Sequence, residues 1–125
     1  MISVSGNGII TLCRGDDAGF AFTVPNWGLN GEQYSLGDGD TLYVGVMEPG
    51  QPFEDALIRK ALTKDDMLSS GEVWVPFASS DTINLLPGTY YIQMKLRKYE
   101  GVDESGDAKY SVDTVLGKSK FFIVD

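Results

Sequence analysis

Residues 88–96 have the sequence GTYYIQMKL, in which side chains suited to a protein core alternate strictly with side chains suited to a surface. Successive side chains of a β-strand point to opposite faces, so a period of two indicates a half-buried strand. The set predicted to face inward is Tyr90, Ile92, Met94 and Leu96, and the set predicted to face outward is Thr89, Tyr91, Gln93 and Lys95. We therefore expect a central strand here.

The same alternation occurs in TLYVGVM at residues 41–47, where Leu42, Val44 and Val46 are predicted to face inward. Shorter apolar runs are bounded by Gly, Asp, Asn and Pro, the residues that favour turns. These runs are predicted as further strands at residues 8–13, 20–24, 32–34, 73–77, 110–116 and 118–124. Pro76 suggests that the strand over residues 73–77 lies at a sheet edge or that the proline lies at the end of the strand.

Residues 55–62 fit two patterns. Ala56, Leu57, Lys60 and Ala61 suit one face of a helix, whereas Ile58, Lys60 and Leu62 suit a strand, and the strand is the interpretation adopted. Residues 79–86 are predicted to hold at most one helical turn, capped by Ser80 or Asp81. Residues 14–17 are predicted to form a hairpin turn, and residues 100–109 a polar hairpin loop.

Seven to nine short strands without a long amphipathic helix indicate an all-β fold, most simply an antiparallel sandwich of two sheets. A chain of 125 residues is long enough for one hydrophobic core and too short for two. We therefore expect a single domain over residues 1–125, in which residues 1–7 form a loose N-terminal arm.

The formal net charge of −8 disfavours nucleic acid and anionic lipid as partners, because both would be repelled. No apolar run is long enough for a signal peptide or a membrane span, so we expect no membrane insertion and synthesis in the cytoplasm. Cys13 is the only cysteine, which excludes a disulfide within the chain.

The chain has no histidine, and so lacks the commonest general base and the commonest transition-metal ligand. Its clustered carboxylates fall in predicted turns, where aspartate bonds neighbouring backbone N–H groups. Gly37-Asp38-Gly39-Asp40 does not have the spacing of a calcium loop. We therefore expect no enzymatic activity, no cofactor and no metal site. Arg14-Gly15-Asp16 matches a cell-adhesion tripeptide, but chance explains so short a match.

Aromatic residues at predicted loop or outward positions are the remaining candidates for a binding surface. Those selected as a possible interface or ligand platform are Trp27, Tyr34, Tyr43, Trp74 and Tyr91, and Tyr99 and Tyr110 belong to the same class. Such side chains can pack across strands, anchor a protein interface or stack on sugar rings, and we rank the three roles in that order.

Three segments also occur in a familiar order: residues 9–16 (IITLCRGD), residues 36–46 (LGDGDTLYVGV) and residues 81–96 (DTINLLPGTYYIQMKL). Together with the closing GKSKFFIV at residues 117–124, they resemble the small immunoglobulin-like domains of bacteriophage tails. The likeness is greatest to the N-terminal domain of upper baseplate proteins. Residues 85–91 are also similar to the approach to the tyrosine corner of fibronectin type III domains, in which a tyrosine hydroxyl bonds upstream backbone.

The resemblance implies an immunoglobulin-like antiparallel β-sandwich and a structural or docking role in a phage or prophage tail. It also implies location in the virion tail, other tail or baseplate proteins as partners, and a homo-oligomer. The chain lacks a C-terminal extension like that of baseplate proteins, so a separate accessory or assembly protein fits as well as a baseplate subunit. The alternative function is a carbohydrate-binding module that uses the exposed aromatic residues.

Overall fold

Strands dominate the computed structural model, which describes residues 1–26 and 32–125. The strands are β1 (Ile2–Val4), β2 (Ile10–Cys13), β3 (Ala18–Phe22), β4 (Thr41–Met47), β5 (Ile58–Leu62), β6 (Val73–Phe77), β7 (Gly88–Val102) and β8 (Ala108–Val124). The helical pieces are one α-helical turn, α1 (Ser79–Thr82), and two 3-10 turns at Phe53–Asp55 and Lys64–Asp66. The all-β prediction is confirmed.

Six strands form one sheet in the order β1-β2-β8-β7-β4-β5, while β3 and β6 form a second, two-stranded sheet. Neighbouring strands are antiparallel with one exception, because β2 runs parallel to β8. The expectation of purely antiparallel sheets is therefore wrong at this pair. After β2 the chain crosses to the other sheet instead of forming the next strand of the same sheet. The strand on the far side of β2 from β1 is therefore β8, at the C-terminal end of the chain.

Residues 14–17 make that crossing, and the predicted hairpin turn at this position is wrong. The Gly15 N–H donates to the hydroxyl of Thr82, at 2.8 Å, and the Asp17 carboxylate accepts from the backbone N–H of Ser79, at 2.6 Å. The crossing segment is thus held by α1. Polar turn residues fit a crossover as well as a hairpin, so the local sequence does not distinguish the two.

The alternation that predicted the central strands is confirmed. Every residue of the inward set of β7 is buried, and so are Leu42, Val44 and Val46 of β4. They join β6 side chains in one core cluster, within which the Phe77 and Phe121 rings lie 5.4 Å apart and connect the two sheets.

The two last strands predicted from the sequence are in fact one. β8 runs without interruption through Gly117, and register shifts against β7 near Met94 accommodate the extra residues. A β-bulge of this kind lets a strand continue past a break in its alternation. β7 likewise continues to Val102, so the predicted loop over residues 100–109 is reduced to residues 103–107.

The N-terminal residues were expected to be loose, but Ile2–Val4 forms β1 and pairs with β2, with Ile2 opposite Leu12. The strand interpretation of residues 55–62 is confirmed for Ile58–Leu62. The edge position of the Pro76 strand is also confirmed, because β6 lies in a two-stranded sheet. Residues 32–34 form only an isolated bridge, between Gln33 and Pro25.

The predicted helical turn is α1, but its N-cap position is Ala78 rather than Ser80 or Asp81. Asp81 lies within the first turn, and its carboxylate accepts from the Ala78 N–H at 2.8 Å. The side chain that satisfies the helix start therefore comes from inside the helix.

Tyr90 joins the start of β7 to the segment before it. Its hydroxyl donates to the backbone carbonyl of Leu86, at 2.6 Å, as the similarity to a tyrosine corner led us to expect. Burial, and to a smaller extent the charge of Glu48, raises the pKa of Tyr90 above its ordinary value. The hydroxyl therefore keeps its proton and remains a donor at neutral pH.

Replacing Tyr90 by Phe removes this hydrogen bond and keeps the ring. We expect the free energy of unfolding to fall by about 1 kcal/mol, the usual net value of such a bond. Urea denaturation measures this change. Tyr91→Phe is the matched control, since its hydroxyl bonds no other described residue, and it should leave the midpoint unchanged. Equal effects of the two substitutions would contradict the role assigned to Tyr90.

Candidate interaction surface

Strands β7 and β8 extend well beyond their neighbours. The last β4 pairing joins Thr41 to Arg97, and β2 pairs with β8 only from Phe121 onward. Past Arg97 the two long strands pair only with each other. The five residues that follow Arg97, up to Val102, reach about 16 Å at the usual rise per residue. We call residues 98–112 the projecting hairpin.

Asp40 fixes the base of this hairpin. The residue is 4% exposed, and its carboxylate accepts hydrogen bonds from the Tyr34 hydroxyl, the Gly37 N–H at 2.8 Å and the Tyr99 N–H at 2.8 Å. The Gly37 bond is the local turn contact expected of an aspartate, whereas the Tyr99 bond reaches 59 residues along the chain. Asp40 thus joins the β4 entry turn to the hairpin.

The electrostatics of this cluster favour a charged Asp40. Burial by itself raises the pKa of Asp40, but the hydrogen bonds from Tyr34, Gly37 and Tyr99, with the charge of Lys98, outweigh burial and lower the pKa below its ordinary 3.8. Burial, followed by the bond to Asp40, raises the pKa of Tyr34. A protonated phenol therefore donates to an ionised carboxylate over the neutral pH range.

The tip of the hairpin is a tight acidic turn. One carboxylate oxygen of Asp103 accepts from the backbone N–H groups of Ser105 and Asp107, both at 2.9 Å, and Gly106 has a φ of 85° that favours glycine. The expected turn role of carboxylates is confirmed at Asp103. Glu104 and the Asp107 side chain have no hydrogen-bond or ionic partner among the described residues.

Apolar side chains on the hairpin are exposed. Val102 is 61% exposed and Val112 is 60% exposed, and the rings of Tyr99 and Tyr110 are each more than two-fifths exposed. The two rings pack edge to face across the strands, with centroids 5.8 Å apart. The prediction of cross-strand aromatic packing is confirmed for this pair.

Beside the base of the hairpin, the outward side of the large sheet carries cations stacked on aromatic rings. The Arg97 guanidinium lies 4.2 Å from the Tyr110 ring centroid and 5.7 Å from that of Tyr43, and the Lys95 ammonium lies 5.0 Å from the Phe53 ring. Cations over aromatic rings attract the ring electrons and are held in place. We call this surface the cationic face; it comprises Tyr43, Phe53, Arg59, Lys95, Arg97, Tyr110 and Lys120.

The cations of this face have no carboxylate partners among the described residues. The ion pairs of the described chain join other cations to carboxylates: the N-terminus to Asp16, Arg14 to Asp125, Lys60 to Asp81 and Lys64 to Asp38. Arg59 instead donates to the backbone carbonyls of Glu54 and Ala56. The buried Nε of Arg97 has no hydrogen-bond partner. In a chain with a net charge of −8, these cations remain available to an anionic group from outside.

A shallow cavity of about 360 Å³ indents the same face between β4, β5 and the Phe53–Asp55 turn. Its lining includes Tyr43, Phe53 and Arg59. Gly45 makes this arrangement possible, because a Cβ there would lie 2.7 Å from a ring carbon of Phe53. Phe53 can therefore rest directly on the sheet, with Lys95 over its ring.

The structure places four of the five aromatic candidates, and they lie on different surfaces. Tyr43 and Tyr91 lie on the outward side of the large sheet, because their partners in register are Lys95 and Lys120. Tyr34 contacts Lys98, which points to the opposite side of β7 from Arg97. Trp74 lies on the outward side of β6 and is 42% exposed. Trp27 lies outside the described residues.

The sequence-based selection missed the cations of the face. Lys95 was already predicted to face outward in residues 88–96. Extending the same alternation by one residue would have placed Arg97 on the same face as Lys95. No local pattern indicated Phe53, because it reaches the sheet from a segment between the strands predicted at residues 41–47 and 55–62.

Searches against protein family models, curated proteins and solved structures found no match to the chain. Among the described residues, no three Asp, Glu or Cys side chains are close enough together to hold a metal ion. No helix in the described part of the chain is long and apolar enough to cross a membrane. The function is therefore inferred from the residues and geometry given above.

Asp40→Asn tests the anchor of the hairpin. An amide has one acceptor oxygen for three donors, so we expect the free energy of unfolding at pH 7 to fall by about 1–3 kcal/mol. The folded-state pKa of Asp40 is lowered, so its stabilising effect is present above the ordinary value of 3.8 and is lost as pH falls towards the folded-state pKa. The difference between wild type and variant should accordingly shrink below pH 3.8.

Urea denaturation at pH 7 and again at about pH 3 measures both effects. Asp38→Asn is the matched control, because that side chain is 86% exposed and pairs only with Lys64 at the surface. It should have little effect at either pH. A loss of stability at Asp40 that did not depend on pH would contradict the assigned charge state.

Proposed function

We propose that this chain is a non-catalytic structural or docking protein of a phage or prophage tail, and that it binds a neighbouring tail or baseplate protein through the projecting hairpin. The observation that carries the proposal is the exposed apolar surface of that hairpin, formed by Tyr99, Val102, Tyr110 and Val112. Such a surface on a projecting element marks a site of protein contact.

Open strand edges give the hairpin a second means of binding. β7 beyond Arg97 and β8 before Phe121 each have one edge without a neighbouring strand. Unpaired N–H and C=O groups along an edge can add a strand from another chain. The hairpin therefore offers a partner both side-chain burial and backbone hydrogen bonds.

An immunoglobulin-like sandwich is the finer fold that we propose. In that fold the C, F and G strands share one sheet, and the B and E strands lie in the other. β4, β7 and β8 occupy positions equivalent to C, F and G, while β3 and β6 correspond to B and E. The Tyr90 bond to Leu86 supports this assignment, because it occurs at the start of the F-like strand.

Placement in a tail is supported by the ordered resemblance of three segments to tail domains. The second segment contains Asp40, which bonds the base of the hairpin, and the third contains Tyr90, which fixes the start of β7. The resemblance thus includes residues with a defined structural role in this chain, and it is not limited to turns that many β-proteins share.

The double variant Val102→Ser, Val112→Ser tests the docking role. We expect it to fold like wild type and to bind tail particles at least about tenfold less tightly, because two apolar side chains lose their burial in the complex. The measurement is the amount of the chain that sediments with purified tail particles of the source strain, quantified by mass spectrometry over a series of concentrations.

Leu57→Ser, Leu86→Ser is the matched control, since both leucines are exposed and lie away from the hairpin. It should sediment with particles like wild type. Absence of the wild-type chain from purified particles would overturn the tail assignment. Equal retention of the hairpin variant and the control would overturn the role of the hairpin.

A further inference from the structure

We infer that the cationic face receives the acidic hairpin tip of a second copy of this chain. The inference rests on the proposed function and names one partner surface for it. It joins two features of the described chain that are each incomplete: cations without carboxylates on the sheet, and carboxylates without cations at the tip.

The face is preorganised to receive an anion. Tyr43 and Tyr110 hold the Arg97 guanidinium between them, and its buried Nε lacks an acceptor. Lys95 lies two residues before Arg97 on β7, and its ammonium is placed over the ring of Phe53, which lines the cavity. These side chains are already held in place, so they lose little conformational entropy when a carboxylate binds them.

The tip has the complementary chemistry. Asp103 uses one oxygen to close the turn, which leaves Glu104 and Asp107 presented at the end of the hairpin. Val102 lies next to them and is 61% exposed, so the tip pairs its charges with an apolar contact suited to the rings of the face.

The tip of the same molecule cannot reach its own face. The paired strands extend continuously from Arg97 to the turn, and hold the tip about 16 Å beyond the face. A second copy must supply the tip. Because tip and face are different surfaces, repeated contacts close a ring, or two copies exchange hairpins about a two-fold axis.

Charge reversal on each side tests this pairing. The face variant is Lys95→Glu, Arg97→Glu, and the tip variant is Glu104→Lys, Asp107→Lys. Sedimentation velocity over a range of concentrations should show reversible self-association of wild type, weaker at high salt. Each variant alone should associate at least about tenfold more weakly, because like charges then meet at the contact.

An equimolar mixture of the two variants should recover association, because the reversed face then meets the reversed tip. Arg14→Glu, Lys64→Glu is the control; it changes the net charge as much as the face variant does, at two partly exposed cations that do not belong to the face. It should associate like wild type. Circular dichroism and thermal unfolding check that each variant folds, and the tip variant alone decides the test if the face variant does not fold.

Several outcomes would overturn the inference: a wild type that stays monomeric, a control as weak as the face variant, or a mixture of folded variants that does not recover. Monomeric wild type that binds polyglutamate through Arg97 would show that the face takes an acidic segment of another protein instead. Retention on tail particles that depends on the hairpin, without self-association, leaves the proposed function standing. Self-association without retention supports this inference and overturns the tail assignment.

Discussion

Strands β7 and β8 pair over almost their entire length, from Gly88 opposite Ile123 to Val102 opposite Ala108. β4 lies beside β7 as far as Arg97, β2 lies beside β8 from Phe121, and the small sheet packs over the inward side chains. Past Arg97, the ladder has no neighbouring strand on either side among the described residues. The same continuous hydrogen-bonded pair of strands therefore lies at the centre of the large sheet and also forms the projecting hairpin.

Strand pairing alone does not hold a two-stranded ribbon firmly, because isolated hairpins are marginally stable in water. The base of this hairpin is strengthened by the Asp40 carboxylate, which bonds Tyr99, and by the contact of Arg97 with Tyr43 and Tyr110. These interactions lie where the ribbon leaves the sheet. They extend the rigidity of the core past its last covering strand.

The distribution of charge separates two kinds of surface. Among the described residues, Arg14, Lys60 and Lys64 pair with carboxylates, whereas Lys95 and Arg97 of the outward sheet face lie over aromatic rings and Arg59 donates to backbone carbonyls. A protein of net charge −8 can keep such cations unpaired only where its own carboxylates are placed elsewhere. The acidic turn at the end of the hairpin is one of those places. The molecule therefore has a positively charged surface on the sheet and a negatively charged surface at the tip, and strands β7 and β8 connect the two.

The alternation of residues 41–47 and 88–96 determined by itself that these segments are strands and which side chains they bury, because strand geometry imposes a period of two on any half-buried segment. The acidic turns were likewise predictable as structural, since aspartate bonds backbone locally. Tertiary structure decided what depends on distant parts of the chain: the parallel pairing of β2 with β8, the continuity of β8 through Gly117, and the meeting of Arg97 with Tyr43 and Tyr110. A local pattern specifies which face a side chain points to, but the register between strands far apart in sequence specifies which side chains it meets.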